Sequence, residues 1–218
     1  MSKNNAADNS KGLIMSEKEK MLAGKIYDPS DKELLSLRVT AHKLCKDYNE
    51  TYETEVEKRA EILKKLLPNA DGACYLQGPV YFDYGVFTRL GKNFYANFNF
   101  TVLDVCRVTI GHDVYVGPNV SILTPKHPLL WRERNAYYKE DGTVSNKEFG
   151  APVTIGDNCW IAGNVTILAG AEIGSGCVIG AGSVVAGKIP PDTLAYGNPC
   201  RAVRKITEND SIELKDLL

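Results

Sequence analysis

The sequence has little of what reactive sites are usually made from: three histidines, two tryptophans and three methionines in 218 residues. Its six cysteines, at 45, 74, 106, 159, 177 and 200, form no CxxC pair, so neither a zinc ribbon nor a dithiol redox centre is expected. Cys159 and Cys177 fall where a free thiol packs as a small hydrophobe. No apolar run approaches the ~18 to 20 residues of a membrane span, and the polar start MSKNNAADNSKG lacks the apolar stretch of a secretory leader. An excess of one charge is missing too. With 26 Lys and Arg against 27 Asp and Glu, nothing in the overall balance recruits nucleic acid or an anionic membrane. These absences point to a cytoplasmic protein with one core and a small accessory unit.

What the chain has is a beat of six. From Pro152 to Gly187 a branched aliphatic recurs at Ile155, Ile161, Ile167, Ile173, Ile179 and Val185, and a small or apolar residue stands two places before each: Val153, Cys159, Val165, Ala171, Cys177 and Ser183. Such a period belongs neither to a helix nor to an alternating strand; it marks a hexapeptide solenoid, each hexad one short strand and a turn. Upstream the beat runs through Leu90, Ala96 and Val102, then Ile110, Val116 and Ile122. The step from Val102 to Ile110 is two residues too long, which places an insertion at Asp104 to Arg107. Between Ile122 and Ile155 the pattern lapses, and residues 123–151 are expected to form an extended loop of the kind a regular scaffold holds for function.

The remaining segments read as accessories. Residues 1–15 have the composition of a mobile tail whose deletion should be tolerated. Residues 16–72 read as a helical segment, with one helix over about 31–48 opened by the capping-box spacing of Ser30 and Glu33. A second helix over about 52–67 carries Val56, Ala60, Leu63 and Leu67 on its apolar face, the pairs Glu55–Arg59 and Glu61–Lys65, and Pro68 as its stop. The solenoid takes 73–204, its coils countable from about Tyr84. The proline-rich run from Ile189 to Cys200 is expected to end the coils, and 205–218 to form a tail or short helix.

Non-repeat motifs add a second signal: MLAGKIYDPSD at 21–31, NFYANFN at 93–99, LDV at 103–105, PKHP at 125–128, WIAG at 160–163 and GNPCR at 197–201. In this order, over about residues 20–206, the chain resembles the maltose and galactoside O-acetyltransferases, a branch of the hexapeptide-repeat acyltransferases. The resemblance implies a mainly β fold, a left-handed parallel β-helix of triangular section with a short N-terminal helical hairpin. It also implies a homotrimer with active sites between subunits, acetyl-CoA as co-substrate, a sugar hydroxyl as acceptor, and no metal.

Acetyl transfer from a thioester to a hydroxyl needs a base, a donor for the tetrahedral oxyanion and a slot that aligns both substrates. His42 in the first helix and His112 in a coil turn read as structural or solvated. His127, in the irregular loop, reads from the residues alone as either a base or a surface histidine; the resemblance assigns it as the base. The resemblance further places Asn97, Asp83 and Asp28 around the acceptor, with Asn97 close to the chemistry, and gives Glu148 the task of orienting His127 or touching the acceptor. It makes Trp160 a wall of the pantetheine slot, turns the Gly163 N–H toward the thioester carbonyl and sets Ala181 beside the cofactor arm. Arg201 and Arg204 would meet the phosphates of coenzyme A, and Lys188 stands in a stretch, Ala186-Gly187-Lys188, where relatives carry Thr-Lys-Asp. Turn stabilisation, subunit packing and plain solvation remain open as ordinary roles for these residues. The loop after His127, with Trp131, Arg132, Tyr137 and Tyr138, is longer than in relatives, which keeps a non-sugar acceptor open. A non-catalytic trimeric scaffold or binding module is the other alternative. A β-helical carbonic anhydrase would need three converging histidines, and only His112 and His127 lie in the coils.

Overall fold

The computed structural model of the chain describes residues 15–212. The tail expected over 1–15 lies outside those residues except for Met15, as do residues 213–218 of the expected C-terminal tail. An aliphatic every sixth residue can be buried only if three short strands close a triangle, and the coils do so. The first face stacks Val80–Phe82, Phe100–Leu103, Ser121–Leu123, Thr166–Leu168 and Val184–Val185. The second stacks Thr88–Leu90, Val108–Ile110, Val153–Ile155, Glu172–Ile173 and Lys188–Ile189. The third stacks Tyr75–Leu76, Tyr95–Ala96, Tyr115–Val116, Trp160–Ile161, Val178–Ile179 and Thr193–Tyr196. Within each face the strands pair in parallel, and like residues sit over like: Ile110 on Ile155, Ile155 on Ile173, Ile173 on Ile189. Every residue of the beat from Leu90 to Val185 is buried.

The corners follow the same economy. Asn93, Asn99, Asp113, Asn119, Asn158 and Asn164 take φ between 54° and 60°, the left-handed region that Asn and Asp tolerate best among residues with a side chain. At one corner their amides form a ladder: Asn99 Nδ2 donates to Asn119 Oδ1 at 2.8 Å, and Asn119 Nδ2 to Asn164 Oδ1 at 3.2 Å.

Several expectations are corrected. Two strands, Tyr75–Leu76 and Val80–Phe82, precede the point from which the beat was countable. The proline-rich run does end the coils, but only after one more rung inside it: Thr193–Tyr196 pairs in parallel with Val178–Ile179, and Arg201–Lys205 then reverses and pairs antiparallel to it. The helical segment holds three helices, α1 (Glu17–Leu22), α2 (Lys32–Asn49) and α3 (Val56–Leu66). The capping box belongs to α1, between Ser16 and Glu19. In α2 the N-cap is Asp31, which accepts from Glu33 N and Leu34 N, while Ser30 turns to Asp28. The buried face of α3 is Arg59, Ile62, Leu63 and Leu66, and Val56 is exposed. The reason is Arg59, which faces inward, donating to Tyr48 Oη at 2.7 Å and to the Leu76 carbonyl at 2.6 Å. Glu55 pairs with Lys58 instead, at 2.9 Å.

The corner between the first and second faces is wider than the others. Phe82 pairs with Val102 and Val102 with Ile122, each pair separated by twenty positions, whereas Ile155 and Ile173 are eighteen apart. Two extra residues therefore enter at Asp83–Phe87 as well as at Asp104–Arg107, and only the second was legible from the beat. Asp104 secures this corner, fully buried, accepting from Tyr84 N at 2.8 Å and Thr88 Oγ1 at 2.9 Å.

Burial pushes the Asp104 carboxyl up from its ordinary 3.8 to about 6. A folded value above the unfolded one means that this group's contribution is full below pH ~4 and is lost as pH rises through ~6. Asp104→Asn removes the titration. The unfolding free energy of the wild type relative to that variant, from urea melts, should fall by about 3 kcal/mol between pH ~4 and ~7.5.

Candidate active site

Three stacked irregularities at one corner build the site. Asp83–Phe87 and Asp104–Arg107 widen two successive coils, and in the next coil the chain leaves the prism after Leu123 and returns at Val153. The excursion departs through Pro125–Lys126 and comes back through Phe149–Gly150, and these two strands pair antiparallel as a ribbon. Between them lie a short helix, α4 (Trp131–Arg134), and a hairpin joining Tyr137–Tyr138 to Val144–Ser145. Thr124 ties the ribbon down: its hydroxyl donates to the Leu103 carbonyl at 2.7 Å and accepts from Cys106 N at 2.9 Å. Gly150 is required here, since a Cβ would lie 2.7 Å from Cys106 Sγ and 2.8 Å from the Thr124 carbonyl.

His127 follows the outgoing strand of the ribbon directly. Its Nδ1 lies 3.2 Å from the Lys147 carbonyl, and its Nε2 lies 3.4 Å from Glu148 Oε2. A carbonyl can only accept, so Nδ1 carries a proton, which leaves Nε2, beside Glu148, as the nitrogen able to gain or lose one. The imidazole is partly open to solvent at 39%, while the Glu148 side chain is mostly covered at 16%.

The N-terminal segment closes over this pair. Tyr27, in the connection from α1 to α2, donates its backbone N–H to the Glu148 carbonyl at 3.0 Å and its hydroxyl to Glu148 Oε1. Tyr27 is buried with Met21, Leu34, Tyr84 and Val105 in a small second core. Gly24 lets the segment approach: it has φ +69°, and a Cβ would lie 2.8 Å from the Gly150 carbonyl. Burial, then the Glu148 charge, raises the Tyr27 phenol far above its ordinary value and keeps it a neutral donor. One residue further, Asp28 accepts from Ser145 Oγ at 2.5 Å, Lys139 Nζ at 2.9 Å, Ser30 Oγ at 2.7 Å and Ser30 N at 2.9 Å. Burial alone would raise the Asp28 carboxyl, but the bonds from Ser145, Lys139 and Ser30 outweigh it and hold the group well below the usual carboxylate range. Asp28 thus clamps the returning hairpin to the N-terminal segment, and its oxygens are occupied.

The other residues singled out from the sequence fall in separate places. Asp83 sits at the widened corner, its carboxyl raised by burial and opposed by His42, whose Nε2 is 3.7 Å away, and by Arg38. Asn97 lies on a different edge of the prism, between the third and first faces, where its Oδ1 accepts from Phe98 N at 2.7 Å. Gly163 and Ala181 occupy the same edge in later coils, in the turns Ala162–Asn164 and Gly180–Gly182, where no side chain but Asn164 exceeds a methyl group. The Gly163 N–H makes no hydrogen bond among the described residues. Trp160 stands outward on the adjoining third face, 55% exposed. Lys188 is on the second face, paired with Glu172 at 2.8 Å. Arg201 donates to the Cys200 carbonyl at 2.9 Å, and Arg204 makes a two-pronged contact with Asp210 at 2.6 and 2.9 Å. Anionic ligands at Lys188 or Arg204 would have to displace a carboxylate. His112 is a turn residue, its Nδ1 accepting from Lys92 N at 2.8 Å.

Sequence reasoning missed Tyr27, Lys139 and Ser145, because their partners lie more than a hundred positions away and no local spacing announces them. It also missed Arg38, which donates to Tyr84 Oη at 3.2 Å. Among the described residues no group of three His, Cys, Asp or Glu side chains is placed to hold a metal ion.

Comparison with known proteins gives two family matches. Residues 20–71 match the maltose acetyltransferase hexapeptide capping motif, and residues 152–187 match the bacterial transferase hexapeptide of six repeats. The galactoside O-acetyltransferase of Escherichia coli K12 is 37% identical over 192 residues, covering 88% of this chain and 90% of that one. A maltose O-acetyltransferase structure from Clostridium difficile 630 superposes with a TM-score of 0.81 at 45% identity, covering 89% of this chain and 99% of the other. A hexapeptide-repeat acetyltransferase from Vibrio cholerae O1 biovar eltor, solved with acetyl coenzyme A, superposes with a TM-score of 0.76 at 34% identity, covering 89% and 100%.

The clamp generates a stability prediction. Asp28→Ala, which strips the hydrogen-bond acceptor from Lys139 and Ser145, should cost about 1 to 3 kcal/mol in urea unfolding. It should also speed proteolytic cleavage within 128–145; cleavage at the wild-type rate would count against the clamp.

Proposed function

The chain belongs to the maltose and galactoside O-acetyltransferases of the hexapeptide-repeat group, and on that premise we propose that it moves an acetyl group from acetyl-CoA to a hydroxyl of a maltose, glucose or galactoside type sugar, with His127 as base. The observation that carries the reading is the histidine's setting. A carbonyl fixes the tautomer through Nδ1, and Glu148 flanks the nitrogen left free to accept a proton.

The chemistry then runs as direct attack in a ternary complex. Nε2 takes the acceptor hydroxyl proton as that oxygen forms a bond to the thioester carbonyl carbon. The carbonyl oxygen becomes an oxyanion, for which the unpaired Gly163 N–H is a suitable donor. Collapse restores the C=O bond and breaks the C–S bond, and the departing thiolate receives the proton from Nε2. While it holds that proton, the imidazolium faces the Glu148 carboxylate, an attraction worth most where water is excluded. No covalent enzyme intermediate is needed.

His127 and Gly163 lie on different edges of one prism, so the reading requires a neighbour. A homotrimer in which the edge bearing Gly163, Ala181 and Trp160 meets the His127 corner of the next subunit supplies it. Outward aromatics at Tyr75, Tyr115 and Trp160, each about half exposed, support a buried role for the third face in such an assembly. The small residues of that edge would leave room for a pantetheine arm between the subunits, with Trp160 as its wall. Arg201, which pairs with no carboxylate among the described residues, would meet the coenzyme phosphates, while Arg204 and Lys188 would join by releasing Asp210 and Glu172. On the acceptor side Asn97 and Asp83 are the donors and acceptors within reach of the two edges, and Asp28 contributes by holding the loop. The six unpaired thiols, five of them buried, suit a cytoplasmic setting, and no described helix is long and apolar enough to cross a membrane.

His127→Ala should lower kcat for acetyl transfer to these sugars by about 10²- to 10⁴-fold, read as thiol release from acetyl-CoA. Near-wild-type turnover would remove His127 as the base. A panel of sugar, amine and antibiotic acceptors in the same assay decides the acceptor class, and preference for an amine would overturn the sugar reading.

A further inference from the structure

We propose that Tyr27 is a positioning residue for acetyl transfer, aiming Glu148 at His127 and so making the N-terminal helical segment part of the catalytic apparatus. The inference rests on the reading of His127 as base. Glu148 is held at two points by one residue: its carbonyl accepts the Tyr27 N–H at 3.0 Å and its Oε1 accepts the Tyr27 hydroxyl. The second carboxylate oxygen, Oε2, is the one that faces His127 Nε2 at 3.4 Å. Once Oε1 is tied, the carboxylate cannot rotate without breaking that bond, so the direction of Oε2 is set by the phenol.

Tyr27 cannot wander either. It is 3% exposed and packed among Met21, Leu34, Tyr84 and Val105, and its backbone is bridged to Glu148 across 121 positions of chain. Among the described residues no other side chain donates a hydrogen bond to Glu148; its second contact is the imidazole itself. Arg38 is engaged with Tyr84, His42 with Asp83, and Lys126 lies over the Phe149 ring, so none of these charged groups makes a hydrogen bond or ion pair with the carboxylate. The result is a line of three groups, phenol, carboxylate and imidazole, whose far end is anchored in the helical segment and whose near end is the base.

The expected role is on the chemical step. Without the phenol, Glu148 samples other directions, and the imidazolium formed during transfer loses its partner. Tyr27→Phe keeps the ring in its core and removes only the hydroxyl; kcat should fall about tenfold while KM for acetyl-CoA stays within about twofold. Since Tyr27 acts through Glu148, the double variant Tyr27→Phe with Glu148→Gln should be no slower than Glu148→Gln alone. Glu148→Asp, which leaves the small core untouched, should match Glu148→Gln because the shortened side chain cannot reach both neighbours. The proposal falls if Tyr27→Phe turns over within twofold of wild type, if the double variant shows the product of the two losses, or if Glu148→Asp retains full kcat. Those failures leave the base assignment standing when His127→Ala is inactive; full activity of His127→Ala removes the base reading first.

Discussion

The structure depends on vertical register. Each coil buries its aliphatic residues only against the same positions of the coils above and below, as Ile110, Ile155, Ile173 and Ile189 do on the second face. No coil has a core of its own, so the prism gains stability only by stacking. The same constraint fixes the corners. A turn that repeats at a fixed height must adopt the same backbone conformation each time, which is why Asn, Asp or Gly recurs at the left-handed positions and why the Asn99, Asn119 and Asn164 amides line up to bond one another.

Function enters where that register is allowed to slip without being lost. Extra residues at one corner cost the ladder nothing, because the strands on either side still pair in step, and three consecutive coils use this freedom at the same edge. Asp104 stabilises the widened corner by bonding the backbone of the coil beneath it. Above it, the excursion that carries His127 is closed by its own ribbon and then braced from outside by Tyr27 and Asp28. The rigidity of the base therefore comes from two sources, a stacked wall below and a helical segment above.

The sequence was most legible where the physics is periodic. The beat located the strands, the insertion at Asp104 to Arg107 and the lapse that contains His127, because each inward position is filled by the same kind of side chain. The insertion at Asp83–Phe87 was hidden because the beat had no earlier rung against which to measure it. The orientation of α3 was misread for another reason: Arg59 looks like a surface charge by composition, but two acceptors and the Tyr48 ring draw it inside. The contacts around Glu148 could not be read at all, since Tyr27 and Asp28 meet the loop through tertiary approach. What the motifs did carry was the identity of His127 and Glu148 as residues to watch, and the structure brings those two within 3.4 Å.

The antiparallel return of Arg201–Lys205 along Thr193–Tyr196 has a consequence for the protein's behaviour in concentrated solution. A solenoid of stacked parallel strands ends in open hydrogen-bonding groups that match those of every other copy, and so invites end-to-end growth into fibres. On the third face, among the described residues, the last rung runs the wrong way and carries Arg201, Arg204 and Lys205, every residue of it exposed. An incoming parallel coil finds reversed polarity and positive charge in place of a template. On that face the reversal leaves an edge whose direction and charge both differ from those of the strands stacked beneath it.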